Sequence, residues 1–115
     1  VSRRAKNRRE IFLVAGKLFY LKGLSVAKLD EPVNMEMLKK RDRYMSKTID
    51  YLLRARRYDK QDIEILEYLG WAYIFKRKFR DSFEIFKEIL RIDAFNDEAK
   101  LQLKYIKNNL TGSNR

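Results

Sequence analysis

Leu66-x-x-Leu69-Gly70-x-x-Tyr73 and, a short way on, Ser82-x-x-x-Phe86 carry more structural information than any other stretch of this 115-residue chain. Apolar residues recur at three- and four-residue steps through both pieces, the period of a helix with one buried face. Lys76-Arg77-Lys78 between them reads as a turn, so the pair predicts two helices folded back on each other. Gly70 has no Cβ and would let the paired helix approach closely. A glycine merely tolerated there would cost ~1 kcal/mol relative to Ala. Gly70 and Gly16 each stand three residues before an aromatic, Tyr73 and Phe19, which favours the packing role.

Working outward, a shift of about 34 residues carries Met45 onto Phe79, Ile49 onto Phe83, Leu52 onto Phe86, Asp59 onto Asp93 and Leu69 onto Leu103. Five matches in one frame indicate a repeat. A helix pair cannot bury its apolar face alone, and stacked copies bury it against one another. An earlier, imperfect copy is Phe12-x-x-Ala15-Gly16-x-x-Phe19. Gly16 precedes Gly70 by one period plus roughly 20 residues, which predicts an insertion between the two helices of the first pair.

The stretch resembles the tetratricopeptide repeat (TPR), whose pattern is W-x2-L-G-x2-Y, then A-x3-F, then P. Leu69, Gly70, Tyr73 and Phe86 match, while Leu66, Ser82 and Ala94 stand where that family usually has Trp, Ala and Pro. The resemblance implies an all-α stack of helical hairpins, here two repeats and a capping helix, that holds another protein and performs no catalysis. It also implies a concave groove lined by the first helix of each pair. Carried over position by position, the contact residues are Leu13, Lys17, Tyr20, Glu67, Trp71, Ile74, Phe75, Leu101, Tyr105 and Asn108. One TPR subclass clamps a C-terminal carboxylate. Its Lys and Asn are missing at Leu13 and Tyr68, and Lys17 stands in place of its other Asn, so clamping is not expected.

The expected elements are a first helix from Arg4 to Lys22, a connecting insertion from Gly23 to Val33, and a long second helix from near Pro32 or Asn34 to Arg56. That second helix is expected to absorb most of the insertion. A third helix runs from Asp62 to Phe75, with Asp62 a candidate N-cap. A fourth runs from Phe79 to Ile92, with an inward stripe of Phe79, Ser82, Phe83, Phe86, Ile89 and Leu90. A fifth, capped by Asn96 or Asp97, runs to Asn109, with Ala99, Leu103 and Ile106 inward. Residues 1–8 read as a basic N-terminal segment and Thr111 to Arg115 as a loose tail.

Composition narrows the work such a domain can do. At 45% hydrophobic and 13% aromatic the chain can bury a core as one domain. It has no Cys and no His, which removes the commonest nucleophile, general base and zinc ligands, so neither an enzyme nor a cofactor is expected. No apolar run nears the ~18 residues a membrane helix needs, which suggests a soluble domain. The start at Val1, without a signal-peptide pattern, suggests a piece of a longer polypeptide, and an anchored or secreted parent is compatible with that.

The net charge is +11, from 27 basic and 16 acidic residues. Three basic clusters stand out: Arg3, Arg4, Lys6, Arg8 and Arg9; Lys39, Lys40, Arg41 and Arg43; Arg54, Arg56 and Arg57. They suit a solvated face, a footprint for an acidic protein partner, or contact with the phosphates of nucleic acid or an anionic membrane. Tyr44, Tyr51 and Tyr58 interleave with the second helix's basic residues at seven-residue spacing, which predicts one half-buried stripe. The leading expectation is binding of a peptide or helix in the groove. Contact through the basic half is the alternative, and self-association, through the outer face of the first helix or by the insertion docking on a second copy, is a third.

Overall fold

Asp62 accepts a hydrogen bond from the Ile65 amide at 3.2 Å, and Asn96 accepts one from Ala99 at 2.9 Å. These side chains satisfy amides that a helix start leaves without partners. Asn34 does the same for Met37 at 2.8 Å. The computed structural model of the protein describes residues 3–29 and 31–110, and the expected loose tail lies outside them. Those residues form α1 (Arg3–Val26), α2 (Met35–Arg56), α3 (Ile63–Phe75), α4 (Phe79–Ile92) and α5 (Asp97–Leu110), with no strand among them. Each helix packs on the next in the chain, and α1 also touches α3. The result is an all-α stack of hairpins, a slab of 48 × 34 × 18 Å. Among the described residues no helix is long and apolar enough to cross a membrane.

One contact organises both hairpins. A β-carbon on Gly70 would lie 2.6 Å from the Phe86 ring, and one on Gly16 would lie 2.7 Å from Leu52. Leu52 and Phe86 are the pair that the repeat shift superposes, so the two hairpins close on the same positions. Leu52, Leu66, Leu69, Phe86, Ile89 and Ile106 are fully buried in one shared core. Ser82 fits beside Gly70, where its hydroxyl donates to the Gly70 carbonyl at 2.9 Å.

Three expectations need correction. Gly23 does not end the first helix, which continues to Val26, so the connection is shorter than Gly23–Val33. The reason is packing: Gly23 is a second spacer, whose β-carbon would meet the Met45 methyl at 2.6 Å. The insertion is therefore shared, with 24 residues in α1 and 22 in α2 against 13 and 14 in α3 and α4. The added turns have their own small core of Met45, Ala72 and Phe75, flanked by Tyr20 and Leu24. On α4, Ile85 is buried while Phe79, Phe83 and Leu90 are only half-buried; on α5, Gln102 is buried beside Ala99 and Ile106.

Candidate functional site

On α3, residues 64, 67, 68 and 71 fall on one helical face, which meets α1 at Tyr20. Tyr20 of α1 meets Tyr68 edge-on with centroids 5.2 Å apart and Phe75 at 5.9 Å. Lys17 donates to Glu64 at 3.0 Å and lies 5.7 Å from the Tyr68 ring centre. Tyr20, Glu64, Glu67, Tyr68 and Trp71 line a surface hollow of about 290 Å3. Three rings and two carboxylates thus share one recess.

The electrostatics of the recess are acidic although the whole chain is basic. Burial, with a smaller contribution from Glu98 and Glu64, raises the Glu67 carboxyl above the ordinary range. Glu67 makes no ion pair or side-chain hydrogen bond among the described residues. Burial also pushes the Tyr20 hydroxyl up to about 12, so it stays protonated at neutral pH. Lys17 is raised by its hydrogen bond and attraction to Glu64, and its charge is held. Lys17 already lies over the Tyr68 ring and holds Glu64, so what the recess presents is the Trp71 ring beside the uncompensated Glu67, a combination that favours a cation.

Of the ten expected contact residues, Lys17, Tyr20, Glu67 and Trp71 come together here. Leu13, Ile74 and Phe75 do not reach the surface, at 6%, 1% and 4% exposure. Leu13 and Ile74 belong to the main core, and Phe75 is taken by the extended ends of α1 and α2. Leu101, Tyr105 and Asn108 are exposed on α5. Tyr105 lies edge-on to Phe79 at 6.4 Å and lines a separate hollow with Leu38 and Arg41. Glu64 and Tyr68 were not among the expected contacts; Glu64 stands three residues before Glu67 and Tyr68 three before Trp71, a same-face spacing that is the signal for them.

The basic clusters do not form one patch. Arg41 is 5% exposed and belongs to the interior: its guanidinium donates to the carbonyls of Ala27 at 3.3 Å and Lys28 at 2.9 Å, and lies 5.1 Å from the Phe75 ring centre. It ties the α1–α2 connection to α2. Arg9 bridges Asp59 and Asp62 at 3.3 Å each, Arg56 pairs with Glu88, and Arg54 pairs with Asp50 at 3.2 Å. Arg3, Arg4, Lys6, Arg8, Lys39, Lys40, Arg43 and Arg57 are exposed. The antiparallel run of α1 and α2 sets the first and third clusters at one end and the second at the other.

The seven-residue tyrosine stripe is half-buried, and it interlocks with Phe12 and Phe19. Rings follow in the order Tyr44, Phe19, Tyr51, Phe12, Tyr58, with centroids 5.7 to 6.4 Å apart. Lys47 caps Phe19 at 5.1 Å and Arg54 lies 5.6 Å from Tyr51. The ring faces are occupied by one another or by cations. No family model and no curated protein matches the sequence.

Proposed function

We propose that the protein is a non-catalytic interaction module of the TPR kind, which holds a segment of another protein and serves in assembling a complex. The single observation that carries this reading is the recess of Tyr20, Tyr68, Trp71, Glu64 and Glu67, open to solvent on the face where the TPR resemblance puts its groove. An anchor of this kind suits an interface, because aromatic rings supply contact area at little entropic cost. The uncompensated Glu67 gives the contact a sign: the residue entering the recess is Arg or Lys. This differs from the acidic partner that the net charge alone suggests. The nucleic-acid reading has less to stand on, since bases need free ring faces and the ladder between α1 and α2 has few.

A displayed random-peptide library selected on the intact chain tests it. Enrichment of sequences with a central Arg or Lys is expected, together with affinity about tenfold or more weaker for Trp71→Ala and for Glu67→Gln. Circular dichroism should show both variants folded. Selected peptides that bind the wild type and both variants alike would remove the groove from the proposal.

A further inference from the structure

Ile11, Val14, Leu18 and Leu21 are 64%, 61%, 52% and 59% exposed, a row of large aliphatic side chains left in water along the outside of α1. Their spacing of three, four and three residues is the a/d repeat of a helix that packs along another helix. Gly16 and Gly23 lie on the opposite side, against α2, so the row cannot also serve the interior. Scattered exposed leucines need no explanation, but four in one uninterrupted row form a patch of the kind that marks an interface.

The two sides of the row differ in charge. Toward α2 stand Arg8 and Lys22 of α1, with Lys47 and Arg54 of α2 lying over the ring ladder. Toward α3 the row is bordered by Glu10, paired with Arg9 at 3.2 Å, and by the Lys17–Glu64 pair. Arg54 is offset by Asp50 at 3.2 Å, so the α2 side keeps Arg8, Lys22 and Lys47 as its net positive charge and the other side is close to neutral.

We infer that this outer face of α1 docks an amphipathic helix of a partner protein, with aliphatic residues in a two-heptad row and Asp or Glu along one side. Charge decides among the occupants. In a coiled-coil pairing of two copies of α1, the antiparallel register that matches Ile11 with Leu21 brings Arg8 beside Lys22, and a parallel register brings Lys17 beside Lys22. Both arrangements repel. An anionic membrane would be attracted on the α2 side alone and would find no basic counterpart in the paired Glu10 and Glu64 on the other. An acidic-sided helix is attracted by the α2 bank and meets no repulsion from the α3 side. The inference does not depend on the recess at Trp71, which faces a different way.

The test uses the intact chain and a synthetic three-heptad helical peptide with Leu and Ile at a and d and Glu along one side. A second peptide carries Lys in place of Glu. Fluorescence anisotropy should show the Glu peptide binding about tenfold or more tightly than the Lys peptide, with the advantage shrinking at high salt. Leu18→Glu and Val14→Glu should each weaken binding by about tenfold or more without lowering the melting temperature, because both positions are exposed. Trp71→Ala should leave it unchanged, which separates this surface from the groove. Equal binding of the two peptides, or none of either, would overturn the inference. So would a dimer in light scattering that Leu18→Glu dissociates, or retention on phosphatidylserine vesicles that Leu18→Glu abolishes.

Discussion

The Phe86 ring occupies the space that a side chain on Gly70 would need, with a β-carbon there only 2.6 Å from ring atoms Cε2 and Cζ. Phe86 is fully buried, so its ring has no free direction in which to retreat. Gly70→Ala should therefore destabilise the fold despite alanine's better helix propensity. Overpacking costs ~1–3 kcal/mol against a gain of ~1 kcal/mol, leaving a net loss of up to about 2 kcal/mol. Urea denaturation checks it. Phe86→Leu in the Gly70→Ala background should cost less than the two changes added separately, and strict additivity would mean that the ring is not the obstacle.

Gly23 gives the opposite result for a nameable reason. The atom it excludes is the terminal methyl of Met45, the far end of a side chain with three rotatable bonds. Gly23→Ala should stay within about 1 kcal/mol of wild type, because the methyl swings aside while the helix gains propensity. Gly16→Ala, opposed by branched Leu52, should fall between the two. A thermal-melt series that ranked Gly23→Ala as the worst of the three would contradict this account.

The end of α1 at Val26 lies beyond the expected stop at Lys22, and Gly23 shows why. A glycine after a run of apolar residues reads as a helix terminator, but the residue that explains it, Met45, lies in a different helix. Local features were legible: Asp62, Asn34 and Asn96 cap the helices they precede, and the Leu52–Phe86 equivalence reappears as two glycine contacts. Long-range ones were not. Arg41 sits within a run of lysines and arginines that looks solvated, yet its helical phase turns it inward, where Ala27 and Lys28 supply carbonyls. Ile74 and Phe75 follow Trp71 on α3, but the neighbours that bury them come from other helices. The recess itself was half legible, since Glu67 and Trp71 are visible in sequence, while the pairing of Glu64 with Lys17 needs the third dimension.

Arg41 makes a prediction that separates it from its basic neighbours. Removing its side chain leaves the Ala27 and Lys28 carbonyls without their charged donor and exposes one side of Phe75. Hydrogen bonds from charged groups contribute ~1.5–3 kcal/mol, so Arg41→Ala should lose stability in that range. Lys40→Ala, on the exposed side of the same helix, should stay within about 0.5 kcal/mol of wild type. Arg41→Lys should restore only part of the loss: one nitrogen, Nη1, makes both bonds, but an ammonium on a shorter stem lacks the planar group that lies against the Phe75 ring. Equal stability of the Arg41 and Lys40 variants would place the guanidinium in solvent.

Glu67 links stability, pH and binding through one carboxylate. Burial raises its proton affinity in the folded chain, and Glu98 and Glu64 add to the effect. An unfolded glutamate titrates near about 4.3, so between that value and the folded one the native state holds more protons than the unfolded state. Stability contributed by this group must then fall as pH rises through that window, with the full penalty present above the folded value and none below the unfolded one. Glu67→Gln removes the ionisation. The variant should melt higher than wild type at pH 7, and the difference should vanish near pH 3. Glu98→Gln should give part of the same gain. A cation from a partner reverses the direction of the shift, so binding of an Arg-bearing peptide at mildly acid pH should release protons, detectable by calorimetry in buffers of different ionisation enthalpy. Should Glu67→Gln instead melt lower at pH 7, the carboxylate already has a favourable partner within the fold, and the recess has no charge left to offer an incoming arginine.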